Sequence, residues 1–406
     1  MNFVEGVRIA LGAIRANLLR SFLTLLGIII GIGAIISVIA VINGLNLYVA
    51  ENLSDFGTNV YVIQRFGLIT NHEDFMKALR RNRKLMPEDA RSLERACDLA
   101  QAVGMEVHTT QDVRRGGFEV HDVDVGGIEP VIAEIENYEV AEGRTISEEE
   151  NGRAAAVCYL GHDVATNIFG PVDPLGKSVR IRDHEFEVVG TAKQKGSVFG
   201  FSRDNYVKIP FTTLRKMFGS HRSVNISVKA LDGVPMQDSM DQARAVLRAR
   251  HHVAYGDPDD FGFLTADGVN DLWKSLTQTI FLVAIFVVGI SLVVGGIVIM
   301  NIMLVSVIER TREIGVRKAV GARQRDIVLQ FLVESVTLSC VGGAIGVAGA
   351  YGLSWAIRTF SPLPARFPVW APLLAFGICA TIGIFFGLQP ARKAARLDPI
   401  EALRTE

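Results

Sequence analysis

An unbroken apolar run from Phe22 to Ile42 (FLTLLGIIIGIGAIISVIAVI), with no charged side chain, decides most of what this chain can become. A hydrocarbon core of about 30 Å is crossed by about 20 residues of helix, because each residue rises about 1.5 Å. Three further runs qualify: Thr279–Ile308, Ile327–Ile357, broken only by Glu334, and Ala371–Leu388. The last follows a hairpin rich in proline (Pro362, Pro364, Pro368, Pro372). A soluble core able to bury all of them would need a far larger protein, and the mean hydropathy of +0.29 is high for a soluble chain. The sequence therefore predicts an α-helical membrane protein with four transmembrane helices.

The first run reads as a retained anchor and not a cleaved signal. It is longer than a signal's usual ~7–15 apolar residues. The segment before it is long and amphipathic, and no A-x-A site follows. Basic residues near span ends mark the cytoplasmic side. Arg8, Arg15 and Arg20 precede the first span, Arg310, Arg312, Arg317, Lys318, Arg323 and Arg325 separate the second from the third, and Arg392, Lys393, Arg396 and Arg404 follow the fourth. All three groups fall on one side only if both termini are cytoplasmic, in a bacterial inner membrane. The chain then divides into a cytoplasmic amphipathic N-terminal helix (1–20), a first span (21–43), an extracytoplasmic domain with its stalk (44–274) and a second span (275–308). A cytoplasmic loop (309–325), a third span (326–357), an extracytoplasmic hairpin (358–370), a fourth span (371–388) and a cytoplasmic tail (389–406) complete it.

The extracytoplasmic region reads as mixed α/β. Strands are expected at Asn59–Gln64, Val120–Gly126, Ala154–Leu160, Ser178–Ile181, Glu185–Gly190 and Val224–Lys229, and helices at Pro87–Gln101 and Met236–Arg250. Its histidines (His72, His108, His121, His162, His184, His221, His251, His252) include no H-x-x-x-H or H-E-x-x-H helix, so no metal site is expected. There is no G-x-S-x-G elbow. Gly170–Ser178 (GPVDPLGKS) imitates a phosphate loop, but one residue too many separates the glycines, two prolines remove N–H donors, and a strand follows where a helix is needed. It reads as a turn, and no cofactor is expected on this chain. Cys97 and Cys158 fit no zinc or redox spacing, and a disulfide between them stays open. A net charge of -1 argues against nucleic acid as a partner.

The stretch Asn301–Glu334 (NIMLVSVIERTREIGVRKAVGARQRDIVLQFLVE) is the most informative. Ile314, Val316 and Val320 at helical spacing, with alternating charge and with Gly315 and Gly321 as punctuation, predict a short amphipathic helix at the membrane face. On pattern alone an ordinary positive-inside loop is as good a reading.

The string E-R-T-R-E-I-G-x-R-K-A-x-G-A, preceded by N-I-M and followed by I-x-x-Q-F-L-x-E, resembles the signature loop of MacB/FtsX-type ABC transporter permeases. L-G-I-I-I-G in the first span, Gly57-Thr58-Asn59, D-P-L-G-K-S-V with F-E-V-V-G at Asp173–Gly190, and P-A-R-K-A-A-R-L-D-P-I-E-A-L-R near the end agree with it. The resemblance implies a homodimeric or pseudo-dimeric permease in the lipid bilayer, coupled to an ABC ATPase subunit that binds the ATP and Mg. Since this chain begins at its N-terminal helix, the ATPase is expected on another polypeptide. The coupling residues would be Glu309, Arg310, Thr311, Arg312, Glu313, Ile314, Gly315, Arg317, Lys318 and Gly321. Arg312 and Arg317 would make forked bonds to carboxylates, Ile314 and Val316 would anchor in a groove, and Gly315 would permit close docking.

Glu334 lies about two turns into the third span, where snorkelling or pairing with a loop arginine is expected before any substrate role. Gly27 with Gly31, and Gly342 with Gly346, form G-x-x-x-G pairs that allow helices to approach closely, within a protomer or across a dimer. No row of polar residues crosses the spans, so the expected action is mechanotransmission to something already outside or in the outer leaflet. Export or efflux with a periplasmic adaptor leads, by resemblance. Lipoprotein or lipid extraction and control of a cell-wall enzyme are alternatives, and a transmembrane sensor is the rival from another class.

Overall fold

The computed structural model describes residues 18–53, 59–198, 201–361 and 365–404. Most of the expected N-terminal helix lies outside them, as do Gly57, Thr58, Pro362 and Pro364. The chain forms two compact units, Met1–Tyr48 with Ser275–Glu406, and Val49–Lys274.

The first unit is helical. Helix α1 spans Leu18–Leu53 and holds the first apolar run. The other long helices are Ala266–Glu309, Gln324–Phe360 and Ala371–Arg396. All four are long and apolar enough to cross a membrane. Each outlasts its apolar run, and the fourth passes through Pro390, beyond the expected end at Leu388, to Arg396. The glycines set how close these helices come. A Cβ built on Gly27 would lie 2.9 Å from the Gly295 Cα, and one on Gly346 would lie 2.9 Å from the Ile29 carbonyl oxygen. Gly31 faces Leu292, and Gly342 faces Leu25 and Ile28. Both G-x-x-x-G pairs thus serve contacts inside this chain. Ser291 Oγ adds a hydrogen bond to the Gly27 carbonyl at 3.2 Å, and Ser335 Oγ one to the Gly383 carbonyl at 2.9 Å.

The second unit is built on a 10-stranded sheet. Its strands are β1 (Val60–Gln64), β2 (Ala100–Arg115), β3 (Phe118–Ile128), β4 (Val140–Gly143), β5 (Val157–Leu160), β6 (Ser178–Ile181) and β7 (His184–Ala192). A two-stranded sheet of β8 (Ser197–Val198) and β9 (Phe201–Ser202) follows, then β10 (Tyr206–Pro210), β11 (Asn225–Ala230) and β12 (Gly262–Thr265). The order is β12-β1-β11-β2-β3-β10-β5-β7-β4, with β6 on β2 and β7. Pairs β3/β10 and β5/β7 are parallel. The helices between strands are α2 (His72–Arg81), α3 (Pro87–Ala96), α4 (Val131–Ile135), α5 (Glu148–Gly152), α6 (His162–Phe169), α7 (Phe211–Phe218) and α8 (Met236–His251). Successive strand side chains alternate between faces. Tyr61 and Ile63 accordingly join the main core with Leu93, Val125, Phe186 and Leu247, while Val60 joins a smaller core with Ile132 and Ile135.

Every expected strand is present. Four of the sheet's ten were not foreseen, β2, β4, β10 and β12, along with α2, α4, α5, α6 and α7. The helix expected over Pro87–Gln101 stops at Ala96, because Cys97 leaves helical geometry (φ -105, ψ 89) and β2 starts at Ala100. Gly170 and Gly176 have φ of 56° and 70°, so Gly170–Ser178 is the turn from α6 to β6. Cys97 and Cys158 are buried free thiols.

Candidate coupling site

In the membrane unit the long helices after α8 are α9 (Ala266–Glu309), α11 (Gln324–Phe360) and α12 (Ala371–Arg396). Between α9 and α11 lies α10 (Thr311–Ala319), the short helix expected from the spacing of Ile314, Val316 and Val320. Arg310 is its only break from α9: the Arg310 N–H still donates to the Ser306 carbonyl, and Ile314 N–H to the Arg310 carbonyl, both at 3.0 Å. Thr311 Oγ1 donates back to the carbonyl of Ile308 at 2.8 Å. At the far end Gly321 takes φ +102°, a conformation that favours glycine, and lets Ala322 N–H close on the Arg317 carbonyl at 3.0 Å.

One face of α10 is fixed to the rest of the unit. Arg310 Nη1 lies 3.3 Å from both Glu334 carboxylate oxygens, and Glu334 is buried. Arg317 donates to Gln330 Oε1 at 2.5 Å and also pairs with Glu313. Lys318 Nζ donates to the Leu397 carbonyl at 2.6 Å. The last helix, α13 (Pro399–Arg404), packs against α10, with Ala402 buried. Ile314 and Gly315 are buried on this inner side.

The outer face is different. Arg312 is exposed, and among the described residues nothing holds its guanidinium. Val316 and Val320 are 47% and 84% exposed, and Ala319, Gly321 and Glu309 are exposed too. Residues at i, i+4 and i+8 share one side of a helix. Arg312, Val316 and Val320 therefore form a single stripe.

This corrects part of the sequence reading. Ile314 packs in its own unit's core, which also holds Val307, Ile327 and Phe331, and Gly315 is buried beside it, so neither stands exposed for another molecule to seat on. Arg317 is likewise engaged within the chain. Val320, expected only to complete the apolar spacing, lies at the end of α10 with 84% exposure and belongs to the outer stripe.

The α/β domain holds buried charge of its own. His108 on β2 lies 2.9 Å from Glu106 and 2.8 Å from Asp124, with Lys208 of β10 at 3.9 Å from Asp124. Burial works against the charged ring, but hydrogen bonds to Asp124 and Glu106 outweigh it and raise the His108 pKa to about 9. His251 sits between Asp89 and Asp260, and these bonds raise its pKa despite burial. Asp112, Glu119 and His121 meet on the exposed β2–β3 hairpin, close enough to share an ion. Helix-spaced motifs cannot reveal a cluster that cross-strand pairing assembles.

Known families match the chain in two stretches, the first of which takes in the first membrane helix together with most of the α/β domain. Residues 21–246 match the MacB-like periplasmic core domain, and residues 285–399 match the FtsX-like permease C-terminal domain. The chain is 35% identical over its whole length to the macrolide export ATP-binding/permease protein MacB of Azoarcus sp., covering 60% of that protein. It is 33% identical over 99% of its length to the pyoverdine export ATP-binding/permease protein PvdT of Pseudomonas syringae pv. tomato, again covering 60%. The chain thus spans about 60% of the length of the curated relatives it matches. The periplasmic region of MacB from Actinobacillus actinomycetemcomitans aligns with 56% of this chain and 98% of its own, at 21% identity and a TM-score of 0.46. With four membrane helices and an α/β domain between the first and the rest, the chain belongs to the MacB/FtsX-type ABC transporter permease family.

Proposed function

We propose that this chain is the membrane subunit of an ATP-driven exporter and that α10 is where the ATPase docks. ATP and Mg are held by the ATPase, and two permease copies work as a pair. Both termini lie on the cytoplasmic side, where the basic segments gather. Nucleotide binding moves α10, and α9 carries that movement toward the α/β domain. One observation supports the reading above the rest: α10 is bonded to its own unit along one face and leaves Arg312, Val316 and Val320 without cover on the other. A mere topogenic loop needs positive charge but no exposed valines between its arginines.

The relatives named as macrolide and pyoverdine exporters make a membrane-soluble or amphipathic cargo, handed on to a periplasmic adaptor, the first substrate class to test. A cargo extracted from the bilayer is the second reading. It is favoured by an apolar groove of about 580 Å³ lined by Leu292, Val293, Leu374, Ile378 and Phe386 of α9 and α12.

The test is co-purification with the ATPase encoded beside this protein. Arg312→Glu combined with Val316→Asp should lower association by at least ~30-fold, the scale for losing a buried anchor and a charged contact. It should also abolish permease-stimulated ATP turnover. Arg323→Glu with Arg325→Glu removes two arginines from the same loop where the test variant removes one, a larger positive-inside loss, and should leave both intact. Equal behaviour of the two double variants would reduce α10 to a topogenic signal.

A further inference from the structure

Three cations near the end of α12 have no partner that the coupling reading uses. Arg392, Lys393 and Arg396 are exposed, and among the described residues none forms an ion pair. With Phe385, Leu388 and Gln389 they are spaced by three and four residues along one side of the helix, which is continuous through Pro390. The turn at Leu397 and Asp398 closes this side into a groove of about 700 Å³. Asp398 is the groove's one acidic residue, and its Oδ1 already accepts the Ile400 N–H at 2.8 Å. The floor thus passes in about three turns from apolar to strongly cationic. Phe385, 73% exposed, stands at the apolar end, inside the run that crosses the membrane.

We propose that this groove binds an anionic membrane lipid, with its phosphodiester among Arg392, Lys393 and Arg396 and an acyl chain along Phe385 and Leu388. A basic pocket at the end of a membrane span fits such headgroups, since cations there meet an anionic leaflet surface. An acidic protein surface would answer the cations equally well but leaves the Phe385 end without purpose. A free phosphate has the same fault. The gradient along one helix face matches an amphiphile.

The experiment titrates the purified full chain in detergent with dioleoylphosphatidylglycerol or dioleoylphosphatidylcholine and counts bound lipids by native mass spectrometry. Each cation removed should weaken anionic lipid binding roughly fivefold. Arg392→Gln, Lys393→Gln and Arg396→Gln together should therefore cost about a hundredfold. Arg392→Lys with Arg396→Lys keeps the charge and should keep the lipid, which separates lost charge from lost fold. Arg323→Gln with Arg325→Gln, equally basic but outside the groove, should also keep it. Equal binding of the two lipids, an unaffected triple glutamine variant, or full displacement by millimolar inorganic phosphate would each overturn the proposal. So would loss of the bound phosphatidylglycerol on adding the ATPase, which would make the groove a protein surface.

Discussion

The α/β domain and the membrane unit bury polar groups by opposite means. In the domain, charge is buried in clusters that neutralise themselves: Glu106, His108, Asp124 and Lys208 on neighbouring strands, and Asp89, Arg250, His251 and Asp260 where α3, α8 and the segment before β12 meet. The membrane unit keeps charge almost wholly at its ends and fills its interior with small residues. Gly27 against Gly295 and Gly383 against Ser335 let backbones touch, and hydroxyls donate to helix carbonyls. Each follows from its solvent. A sheet facing water on part of its surface can open to hydrate a charge, so a paired charge inside it is tolerable. Hydrocarbon offers no such exit, and there close packing replaces hydrophobic pressure as the source of cohesion.

The harshest way to break this contrast is to add volume where helices touch. Gly27→Leu must displace the Gly295 backbone, which cannot swing aside as a side-chain tip can, and should cost about 3 kcal/mol or more. Gly377→Ala on α12 meets nothing within 4 Å and should be neutral or slightly stabilising. Thermal aggregation of the detergent-purified chain, followed by size exclusion, measures both. Similar losses at the two positions would mean that close approach is not what the glycines serve.

Next in size is the Arg310–Glu334 pair, which buries a carboxylate inside the membrane unit. Arg310→Ala leaves Glu334 buried without its cation and should cost about 2 kcal/mol, at the low end for a broken buried pair because Arg310 is 29% exposed. Adding Glu334→Gln should recover most of that loss, since it removes the stranded charge. If the double variant is as unstable as the single one, packing and not charge sets the effect.

The contrast also governs what could be read from the sequence. Spans were legible because hydrocarbon demands an unbroken run, and nothing in Phe22–Ile42 competes with that signal. Strands β1, β6, β7 and β11 were legible by alternation. The longest strand, β2, was not, because Val103, Met105 and Val107 alternate with polar side chains over only a few of its sixteen residues and the stretch from His108 to Arg115 is almost wholly polar. Strand β10 is only five residues long, with Val207 and Ile209 its two residues in the main core, too short an alternation to stand out. At the coupling site, the existence of α10 could be read from spacing, but its inward face is set by the helices it packs on, among them α12 and α13 some eighty residues further along the chain. A local pattern holds no record of such cover.

The β2–β3 cluster sharpens the contrast through pH. The folded His108 pKa of about 9 lies above the ordinary histidine value of ~6.5. Its contribution to stability is therefore complete below pH ~6.5 and is lost as pH rises toward 9. Burial raises the Glu136 pKa to about 7, so that group also favours lower pH, over the range from its ordinary value to about 7. Asp124 and Glu106 lie below their usual range through His108, despite burial, so their contributions are lost only in acid. With the ring's solvent exposure discounted, His108 should supply about 1–2 kcal/mol between pH 6.5 and 9. Hydrogen exchange of peptides covering Glu106–Ile128, corrected for its intrinsic pH dependence, should show this loss. His108→Asn should flatten the profile, and an unchanged slope would remove the histidine from the account.

The smallest effect is expected where the same residue types meet in the open. Asp112, Glu119 and His121 can share an ion geometrically, yet His121 is 69% exposed and Arg114 already bonds Glu119 at 2.5 Å. A metal would have to displace that guanidinium and then hold three side chains that water solvates well in its absence. Surface pairs of this kind contribute about 0–1 kcal/mol. His121→Ala should therefore change stability by no more than about 0.5 kcal/mol. Zinc at tens of micromolar should leave hydrogen exchange of the hairpin Arg114–Glu119 unaltered, whereas the buried cluster around His108 on the same two strands should respond to pH as described above. The cross-strand spacing of acids and histidine is similar in the two clusters. What separates them is desolvation, which makes partners indispensable at Glu106 and optional at Glu119. Zinc-dependent protection of the hairpin that vanished in His121→Ala would show that geometry alone suffices on this surface, and the distinction drawn from burial would fail.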